Sequence, residues 1–315
     1  MATISLGATG QAVIPLCVGT WAWGDSFFWS YGKDYSETDV QAAFKSALDA
    51  GITFFDTAEI YGLGESEKLL GRFMKQTDRP VQIATKYMPL PWRFSADSVH
   101  DAISDSLKRL QVDRVALYQV HMPFDFFMGK KTLMEALAEE VKRGRIGAIG
   151  VSNYSADQMR EAQSYLAAQG VPLAVNQVRY SLITRQIETN GILDTARDLG
   201  VTILAYSPLA QGLLTGKYTP ANADLVTGAR RLDSRFSPQG LEKLAPVIHQ
   251  LQQIGKAHDR TPAQVALNWL IAQGNVIPIP GAKNANQAQQ NAGALGWSMS
   301  EEEQTQLDVL TRDRR

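Results

Sequence analysis

Short apolar runs alternate along this chain with longer segments in which apolar residues recur at helical spacing. Eight of the runs are almost continuously apolar, as strands buried on both faces of a parallel sheet are. They lie at 16–20 (LCVGT), 53–57 (TFFDT), 81–86 (VQIATK), 115–121 (VALYQVH), 146–152 (IGAIGVS), 173–177 (LAVNQ), 201–207 (VTILAYS) and 276–281 (VIPIPG). Eight is the number of strands that a closed parallel barrel requires.

The segments between these runs carry start and stop signals for helices. Three of them pair a capping residue with a partner three positions later, namely Ser36 with Asp39, Ser155 with Gln158 and Thr261 with Gln264. Ser95 opens a further helical pattern, and Gly51 and Gly274 end two others. Alternating strands and helices predict an α/β protein with a parallel sheet, the (β/α)8 TIM barrel.

Two segments fall outside this alternation. The N-terminal stretch 4–15 (ISLGATGQAVIP) predicts a small β-hairpin that turns around Ala8–Gly10 and closes the bottom of the barrel. The stretch Lys217–Pro238, rich in Gly, Pro and Arg, predicts a long loop over the barrel mouth. We therefore predict one domain over residues 1–315, with an N-terminal β-hairpin and long loops at the C-terminal face.

Composition narrows the class of partner. The 315 residues include 31 Lys and Arg against 32 Asp and Glu, so bulk charge draws the protein neither to nucleic acid nor to acidic membranes. Cys17 is the single cysteine, which excludes an intrachain disulfide and suits a reducing compartment. The sequence has no signal-peptide pattern and no apolar run of membrane-spanning length. We expect a cytoplasmic protein without membrane insertion, and no motif specifies an oligomeric state.

Residues with proton-transfer chemistry fall at the C-terminal ends of three neighbouring strands, where barrels of this kind carry their active sites. Asp56 ends the second strand and Tyr61 follows in the loop, while Lys86 and His121 end the third and fourth. Each residue also has a simpler interpretation: a turn cap, a loop aromatic, a solvated lysine and a hydrogen-bonded histidine. Four of them at consecutive strand ends indicate a proton-transfer site.

The segments that carry these residues resemble the aldo-keto reductase family. They are 51–62 (GITFFDTAEIYG), 83–86 (IATK), 117–121 (LYQVH), 150–153 (GVSN), 176–181 (NQVRYS), 205–218 (AYSPLAQGLLTGKY) and 277–291 (IPIPGAKNANQAQQN). They span nearly the whole chain in family order. The run 19–25 (GTWAWGD) is similar to a cyanobacterial and plant plastid branch of the family that includes pyridoxal reductase. The chain has no GxGxxG after a strand, so it is not a Rossmann dehydrogenase.

The resemblance implies reduction of an aldehyde or ketone by NADPH, which becomes NADP+. The family's catalytic tetrad corresponds to Asp56, Tyr61, Lys86 and His121, with Tyr61 as the proton donor. A free tyrosine has a pKa of about 10, and a nearby ammonium such as Lys86 lowers it. Asp56 would keep the buried Lys86 charged, and His121 would hydrogen-bond the carbonyl oxygen.

The resemblance also implies a cofactor site across the barrel mouth and no metal. The nicotinamide end would lie on Ser152, Asn153, Gln177 and Tyr206, and the centre near Gly19, Thr20 and Trp21, with Asp56 as a further cofactor residue. The pyrophosphate would lie on Ser207, Pro208, Leu209, Gln211, Gly212 and Lys217. The adenosine 2′-phosphate and adenine would lie on Gly281, Lys283, Gln287, Gln290 and Asn291. Backbone N–H groups of the helix that follows Gly281 suit a phosphate. Many family members have arginine in place of Gln287 and glutamate in place of Gln290.

Aromatic residues crowd the loops at the predicted barrel mouth. Trp21 and Trp92, with His121, are predicted to line an apolar pocket for a small carbonyl substrate, although the same rings could instead pack the loops onto the barrel. Two other functions stay open. A related branch serves as NADPH-holding regulatory subunits of membrane protein complexes, and a glycoside hydrolase would use two carboxylates such as Asp56 and Glu59.

Overall fold

Eight parallel strands form a barrel in the computed structural model, which describes residues 2–226 and 228–314. The strands are β1 (Ile4–Ser5), β2 (Ala12–Val13), β3 (Val18–Gly19), β4 (Phe54–Asp56), β5 (Gln82–Tyr87), β6 (Val115–Val120), β7 (Ile146–Ser152), β8 (Leu173–Arg179), β9 (Thr202–Tyr206) and β10 (Val276–Ile279). Strands β3 to β10 pair in sequential order. The backbone N–H of Cys17 donates to the carbonyl of Pro278 over 3.0 Å, and Gly19 bridges to Gly281, so the first and last strands meet.

Each of the eight predicted apolar runs overlaps one strand of this barrel, and the (β/α)8 prediction is confirmed. Only β5 and β8 extend past their runs, by one and two residues. The runs are apolar throughout because one face of each strand packs inside the barrel and the other packs against helices. The inner core includes Phe54, Ala84, Leu117, Ala148, Leu204 and Ile277, all at most 1% exposed. The interior below the strand ends is therefore filled, as the packed core of a TIM barrel is.

The predicted hairpin is formed by β1 and β2, which pair antiparallel around a turn at Gly7–Thr9. Leu6 is fully buried within the inner core. The backbone N–H of Gly7 donates to Thr202 Oγ1 over 2.9 Å. A Cβ on Gly7 would lie 2.6 Å from the carbonyl oxygen of Ala174, and its φ of +54° also favours glycine. The hairpin thus seals the barrel against the first residues of β8 and β9.

Helices follow the strands and cover the outside of the barrel. They are α1 (Ser26–Trp29), α2 (Glu37–Asp49), α3 (Glu65–Met74), α4 (Ala96–Leu110), α5 (Lys130–Lys142), α6 (Ala156–Ala167), α7 (Ile192–Asp198), α8 (Pro238–His258), α9 (Pro262–Ile271), α10 (Ala285–Ala292) and α11 (Glu301–Leu310). The three predicted capping boxes begin α2, α6 and α9, and Ser95 is the N-cap of α4. None of the helices in the described ranges is both long and apolar enough to cross a membrane.

The long segment Lys217–Pro238 is more ordered than the predicted loop. It contains 3-10 turns at Pro220–Leu225, Gly228–Leu232 and Ser234–Phe236, while Thr227 lies outside the described residues. Tyr218 packs edge-on against Phe236 with 5.3 Å between ring centroids. These local contacts follow β9 directly, so the segment stays at the C-terminal face where the cofactor and substrate residues were predicted.

Candidate active site

A buried lysine is the centre of the candidate site. Lys86 is fully buried, and its Nζ donates to Asp56 Oδ1 over 2.5 Å, to the carbonyl of Thr57 over 2.7 Å and to the Tyr61 hydroxyl over 3.2 Å. Three acceptors use all three ammonium protons. Lys86 is therefore not a solvated charge but a paired buried cation.

Asp56 is held by donors on both oxygens. Its Oδ2 accepts from Gln119 Nε2 over 3.1 Å and from Gln177 Nε2 over 2.9 Å, in addition to the Lys86 contact at Oδ1. The structure thus replaces the turn-cap interpretation of Asp56 with that of a buried carboxylate that compensates Lys86.

His121 lies beside the tyrosine at the next strand end. The His121 and Tyr61 rings meet edge-on with 5.6 Å between centroids. Burial, and next the charge of Lys86, lowers the pKa of His121 to about 3, so the ring is neutral near pH 7. A neutral imidazole still carries one N–H, which can donate to a carbonyl oxygen.

The charge of Lys86 alone would lower the pKa of Tyr61, but burial has the larger effect and the pKa is raised. Burial raises the pKa of Tyr61 above its ordinary 10.0, and the Lys86 charge opposes that rise only in part. For Lys86, burial acts to lower the pKa, but Asp56 and Tyr61 together raise it. Near neutral pH, Tyr61 therefore keeps its proton and Lys86 its charge. A protonated phenol beside a fixed cation has the arrangement that a proton donor requires.

The side chain of Thr20 is committed to the framework. Thr20 is fully buried, and its hydroxyl lies 3.0 Å from the carbonyl of Asp56 and 2.8 Å from Ser66 Oγ. The Thr57 hydroxyl donates to the same Ser66 oxygen over 2.9 Å. This hydroxyl cluster fixes the backbone on both sides of Asp56. The Thr20 backbone N–H also donates to the Asp56 carbonyl over 2.9 Å, so the predicted cofactor residue Thr20 is bonded within the protein.

Glu59 is likewise occupied. It accepts from Arg93 Nη1 over 2.6 Å, from Arg93 Nη2 over 3.0 Å and from the backbone N–H of Met88 over 2.5 Å. A glycoside hydrolase needs two carboxylates flanking the scissile bond. Since Asp56 is bound by Lys86 and Glu59 by Arg93, the geometry disfavours that alternative. The Glu59–Arg93 pair instead joins the loop of Tyr61 to the loop of Trp92.

Four predicted nicotinamide residues come together at the ends of β7, β8 and β9. Ser152 Oγ donates to the carbonyl of Gln177 over 2.9 Å, and Asn153 Nδ2 donates to Ser152 Oγ over 3.1 Å. The Tyr206 hydroxyl donates to Asn153 Oδ1 over 3.1 Å, and the tyrosine is half-buried. Because Gln177 also contacts Asp56, this group is hydrogen-bonded directly to the tetrad.

The predicted pyrophosphate loop has an unusual backbone. Ser207, Ala210 and Gln211 have φ values of 53°, 47° and 59°, and Gly212 has a φ of 100°. Left-handed turns of this type make concave backbone surfaces that suit anions. Pro208 and Leu209 lie within the same loop, and Lys217 is exposed at its end. The loop is therefore compatible with a phosphate group.

Lys283 is enclosed by aromatic side chains before α10. Its Nζ donates to the carbonyl of Trp29 over 3.3 Å and lies 4.7 Å and 4.4 Å from the ring centroids of Trp29 and Tyr35. Burial, and next the charge of Arg230, lowers the pKa of Lys283. Arg230 is a cation near Lys283 that the sequence analysis did not identify. To bind a phosphate, the Lys283 ammonium must either leave the Trp29 and Tyr35 rings or contact the phosphate while it remains beside them.

The rest of the predicted adenosine end is organised by hydrogen bonds around the same turn. Gln287 Oε1 accepts from the backbone N–H of Lys283 over 2.8 Å. Asn291 Nδ2 donates to the carbonyl of Gly281 over 3.2 Å, and Gln290 is exposed. Gln287 and Asn291 therefore also hold the turn itself.

Exposed apolar side chains crowd the loops that follow β3 to β6, and one of them contacts Tyr61. Trp21 stacks on Tyr61 with 6.2 Å between ring centroids and is 44% exposed, and Trp92 is 65% exposed. Trp23, in contrast, is fully buried, and its Nε1 donates to the carbonyl of Ala282, so it packs the loop. The loops after β3 to β6 carry the exposed residues Trp21, Phe27, Phe28, Ile60, Leu63, Trp92, Phe94, Phe124, Phe126 and Phe127. Exposed apolar patches of this kind mark binding sites.

Gln119 is a site residue that the sequence analysis missed. It is fully buried in β6, and its Oε1 accepts from Gln177 Nε2 over 3.2 Å. A Cβ on Gly150 would lie 2.9 Å from Gln119 Cγ, so glycine in β7 makes room for this side chain. The available signal was a single polar residue in an apolar strand, two positions before His121 and on the same face.

Comparison with known proteins decides the family. The model of the aldo/keto reductase family matches residues 15–312. The chain belongs to the aldo/keto reductase family. Its members are oxidoreductases that use nicotinamide cofactors on small carbonyl compounds. Within the described residues, no group of three or more His, Cys, Asp or Glu side chains could hold a metal ion.

Relatives match this aldo-keto reductase over most of their length. The chloroplastic pyridoxal reductase of Arabidopsis thaliana is 38% identical over 96% of this chain and 84% of its own. An NADP(+) aldo-keto reductase of Schizosaccharomyces pombe is 34% identical over 86% of this chain and 82% of its own. The glycerol dehydrogenase of Gluconobacter oxydans superposes with a TM-score of 0.85 at 28% identity, over 100% of this chain and 97% of its own. A thermostable aldo-keto reductase solved with epalrestat gives a TM-score of 0.78 at 30% identity, over 98% and 100%.

Proposed function

We propose that this aldo-keto reductase reduces aldehydes or ketones to alcohols with NADPH, and that Tyr61 donates the proton to the carbonyl oxygen. The observation that carries the proposal is the position of Lys86, whose ammonium contacts both Asp56 and the Tyr61 hydroxyl beside His121. A phenol gives up its proton more readily when a fixed cation stabilises the resulting phenolate. That cation is present before the substrate arrives.

Each residue of the tetrad has a role that its surroundings favour. The neutral His121 donates a hydrogen bond to the carbonyl oxygen and orients it, and Tyr61 gives that oxygen its proton. Lys86 stabilises the phenolate, and Asp56 keeps Lys86 charged in its buried position. NADPH, when bound, would supply the hydride to the carbonyl carbon.

The residues at the ends of β7 to β9 fit the nicotinamide group. Gln177 directs its Nε2 to Asp56 and Gln119, which leaves its Oε1 to accept from the carboxamide of the cofactor. Ser152 and Asn153 add hydroxyl and amide groups beside it, and the half-buried ring of Tyr206 offers a stacking surface. The left-handed loop Ser207–Gly212 and the turn at Gly281 would hold the phosphates.

The exposed aromatic side chains in the loops after β3 to β6 form what we call the aromatic rim. This rim supports an apolar carbonyl substrate that contacts Trp21, Trp92 and His121. Since one relative is named for pyridoxal, pyridoxal belongs among the compounds to test. We further propose that residues 1–315 act as one domain and that the enzyme works in the cytoplasm.

The decisive experiment follows absorbance of NADPH with a panel of aromatic aldehydes, ketones and pyridoxal. Oxidation of NADPH by one class of carbonyl compound supports the reductase. Tight binding of NADPH without turnover on any compound would instead favour an NADPH-holding regulatory subunit, the alternative function.

Lys283 is expected to set the preference for NADPH. A charge-assisted contact to the 2′-phosphate contributes about 1.5–3 kcal/mol, or roughly ten- to a hundred-fold in affinity. The Trp29 and Tyr35 contacts of Lys283 compete with that role, so we expect a loss near ten-fold for Lys283→Ala with NADPH and almost none with NADH. Fluorescence titration of both cofactors measures this, with the exposed Lys256→Ala as control. Equal losses for the two cofactors, or a wild type indifferent between them, contradict the prediction.

Gln119 is expected to act through Gln177. Gln119→Met keeps the chain length but removes the amide that orients Gln177 and donates to Asp56. Hydrogen bonds to charged groups contribute about 1.5–3 kcal/mol, so we expect cofactor affinity to fall roughly ten-fold. Gln253→Met, on the exposed face of α8, is the matched control. Unchanged affinity in a variant that melts like the wild type would show that Gln119 only fills space.

A further inference from the structure

A cleft of about 670 Å³ opens beside Asn153 at the C-terminal face of the barrel. Its lining includes Asn153, directly after β7, and Val178 and Arg179 at the end of β8. Its apolar wall is formed by Val178, Ile183, Ile187 and Ile192. The other seven residues that line the cleft are polar or charged, so the cleft is mainly polar and has one apolar wall.

Three arginines from separate parts of the chain line this cleft: Arg179 at the end of β8, Arg235 in the segment before α8, and Arg314 near the C-terminus. Arg235 is paired with Asp233, with 2.6 Å between Nη2 and Oδ2. Within 2–226 and 228–314, the guanidinium groups of Arg179 and Arg314 have no hydrogen bond or ion pair. Asp313 is the single acidic residue that lines the cleft, so the lining carries excess positive charge.

The position of Arg314 is fixed by the backbone. The carbonyl of Arg314 accepts from the backbone N–H of Arg185 over 2.9 Å. The Arg185 side chain is buried and binds Glu188 and Asp308, over 2.7 Å and 2.5 Å. These carboxylates are thus held beneath the C-terminal turn, and Arg314 is held near the cleft by an anchored backbone.

The cleft adjoins the proposed nicotinamide residues. Asn153, which forms its inner wall, bonds Tyr206 and Ser152 and lies 3.6 Å from Met122 Sδ, the residue after His121. Arg179 pairs in register with Tyr206 across β8 and β9, and its charge opposes the rise in the Tyr206 pKa that burial causes. One strand separates β6 from β8, so their ends are about 10 Å apart. A small ring compound can span that distance between His121 and the Arg179 side chain.

We propose that this cleft is the part of the substrate site that selects carbonyl compounds bearing a carboxylate or phosphate, and that Arg179 and Arg314 bind the anion. The proposal rests on the reductase function proposed above, because it places the carbonyl at His121 and Tyr61. Guanidinium groups bind such anions through paired, charge-assisted hydrogen bonds. The apolar wall of the cleft accommodates the body of the compound.

The test compares two substrates that differ in charge, 4-carboxybenzaldehyde and its uncharged methyl ester. We expect the wild type to favour the acid, and the ratio of kcat/KM for acid over ester to fall about ten-fold or more in Arg179→Gln. Arg179→Lys, which keeps the charge, should retain part of the ratio. Arg312→Gln, in the same C-terminal turn but outside the cleft, is the matched control. An unchanged ratio in Arg179→Gln overturns the proposal.

A binding measurement separates this proposal from the function on which it rests. Terephthalate carries the anion but cannot be reduced by this chemistry, and calorimetry measures its binding to wild type and to Arg179→Gln. If neither aldehyde is turned over but terephthalate binds only to the wild type, the reductase proposal fails while the anion site stands. If inorganic phosphate binds as tightly as terephthalate, the cleft is a site for free phosphate and its role in substrate selection is overturned. Thermal melts confirm that each variant is folded.

Discussion

Tyr61→Phe is expected to lower kcat by about 10²–10⁴-fold, the effect typical of losing a general acid. The substitution removes one oxygen and keeps the ring that stacks on Trp21 and meets His121 edge-on. Affinity for NADPH should therefore stay close to the wild-type value. Turnover with a saturating aldehyde and fluorescence titration of the cofactor measure the two quantities separately.

A second buried tyrosine provides the control for this prediction. The Tyr154 hydroxyl is buried and makes no hydrogen bond to the described residues, so Tyr154→Phe removes a phenol oxygen without touching the tetrad. Its turnover should remain near that of the wild type. Near-normal turnover in a folded Tyr61→Phe enzyme would show that another group donates the proton.

The strands and the main helix caps could be predicted because the forces behind them are local or periodic. A strand buried on both faces is apolar throughout, and capping boxes such as Ser155 with Gln158 bond within one turn. The tetrad could be placed because a closed parallel barrel brings consecutive strand ends to one face. Fold and family were therefore predictable, and most of the candidate site residues fell where the barrel rule put them.

The pairing of side chains could not be predicted in the same way, since burial and contact are properties of the folded chain. Nothing local indicates that Gln119 reaches Asp56, that Arg93 occupies Glu59, or that the Trp29 and Tyr35 rings enclose Lys283. For the same reason the sequence led us to expect a lowered Tyr61 pKa, whereas burial raises it. The sequence reveals that a lysine lies near, but not that the hydroxyl is buried.

Lys86→Met is expected to lower kcat by about 10²–10³-fold, as loss of a preorganised charge at the reacting group does. The alkaline limb of the pH–rate profile should also move to higher pH. That limb marks loss of the Tyr61 proton, because only the protonated phenol can donate. The Lys86 charge lowers the Tyr61 pKa, whereas burial and Asp56 raise it. Lys86→Met removes the charge that opposes the rise in the Tyr61 pKa. The phenol therefore holds its proton to higher pH and releases it less readily to the substrate.

A second variant is needed for comparison, because Lys86→Met leaves the Asp56 carboxylate buried without its cation. This costs about 3–5 kcal/mol of stability. The double variant Lys86→Met with Asp56→Asn removes both charges and keeps the shapes, so it should recover stability but not turnover. Asp56→Asn alone should slow the reaction less, since the Thr57 carbonyl and the Tyr61 hydroxyl still accept from Lys86. Turnover across pH, with thermal melts for all three variants, separates the two roles. If the alkaline limb of folded Lys86→Met stays where the wild type has it, Lys86 supports the barrel and does not tune Tyr61.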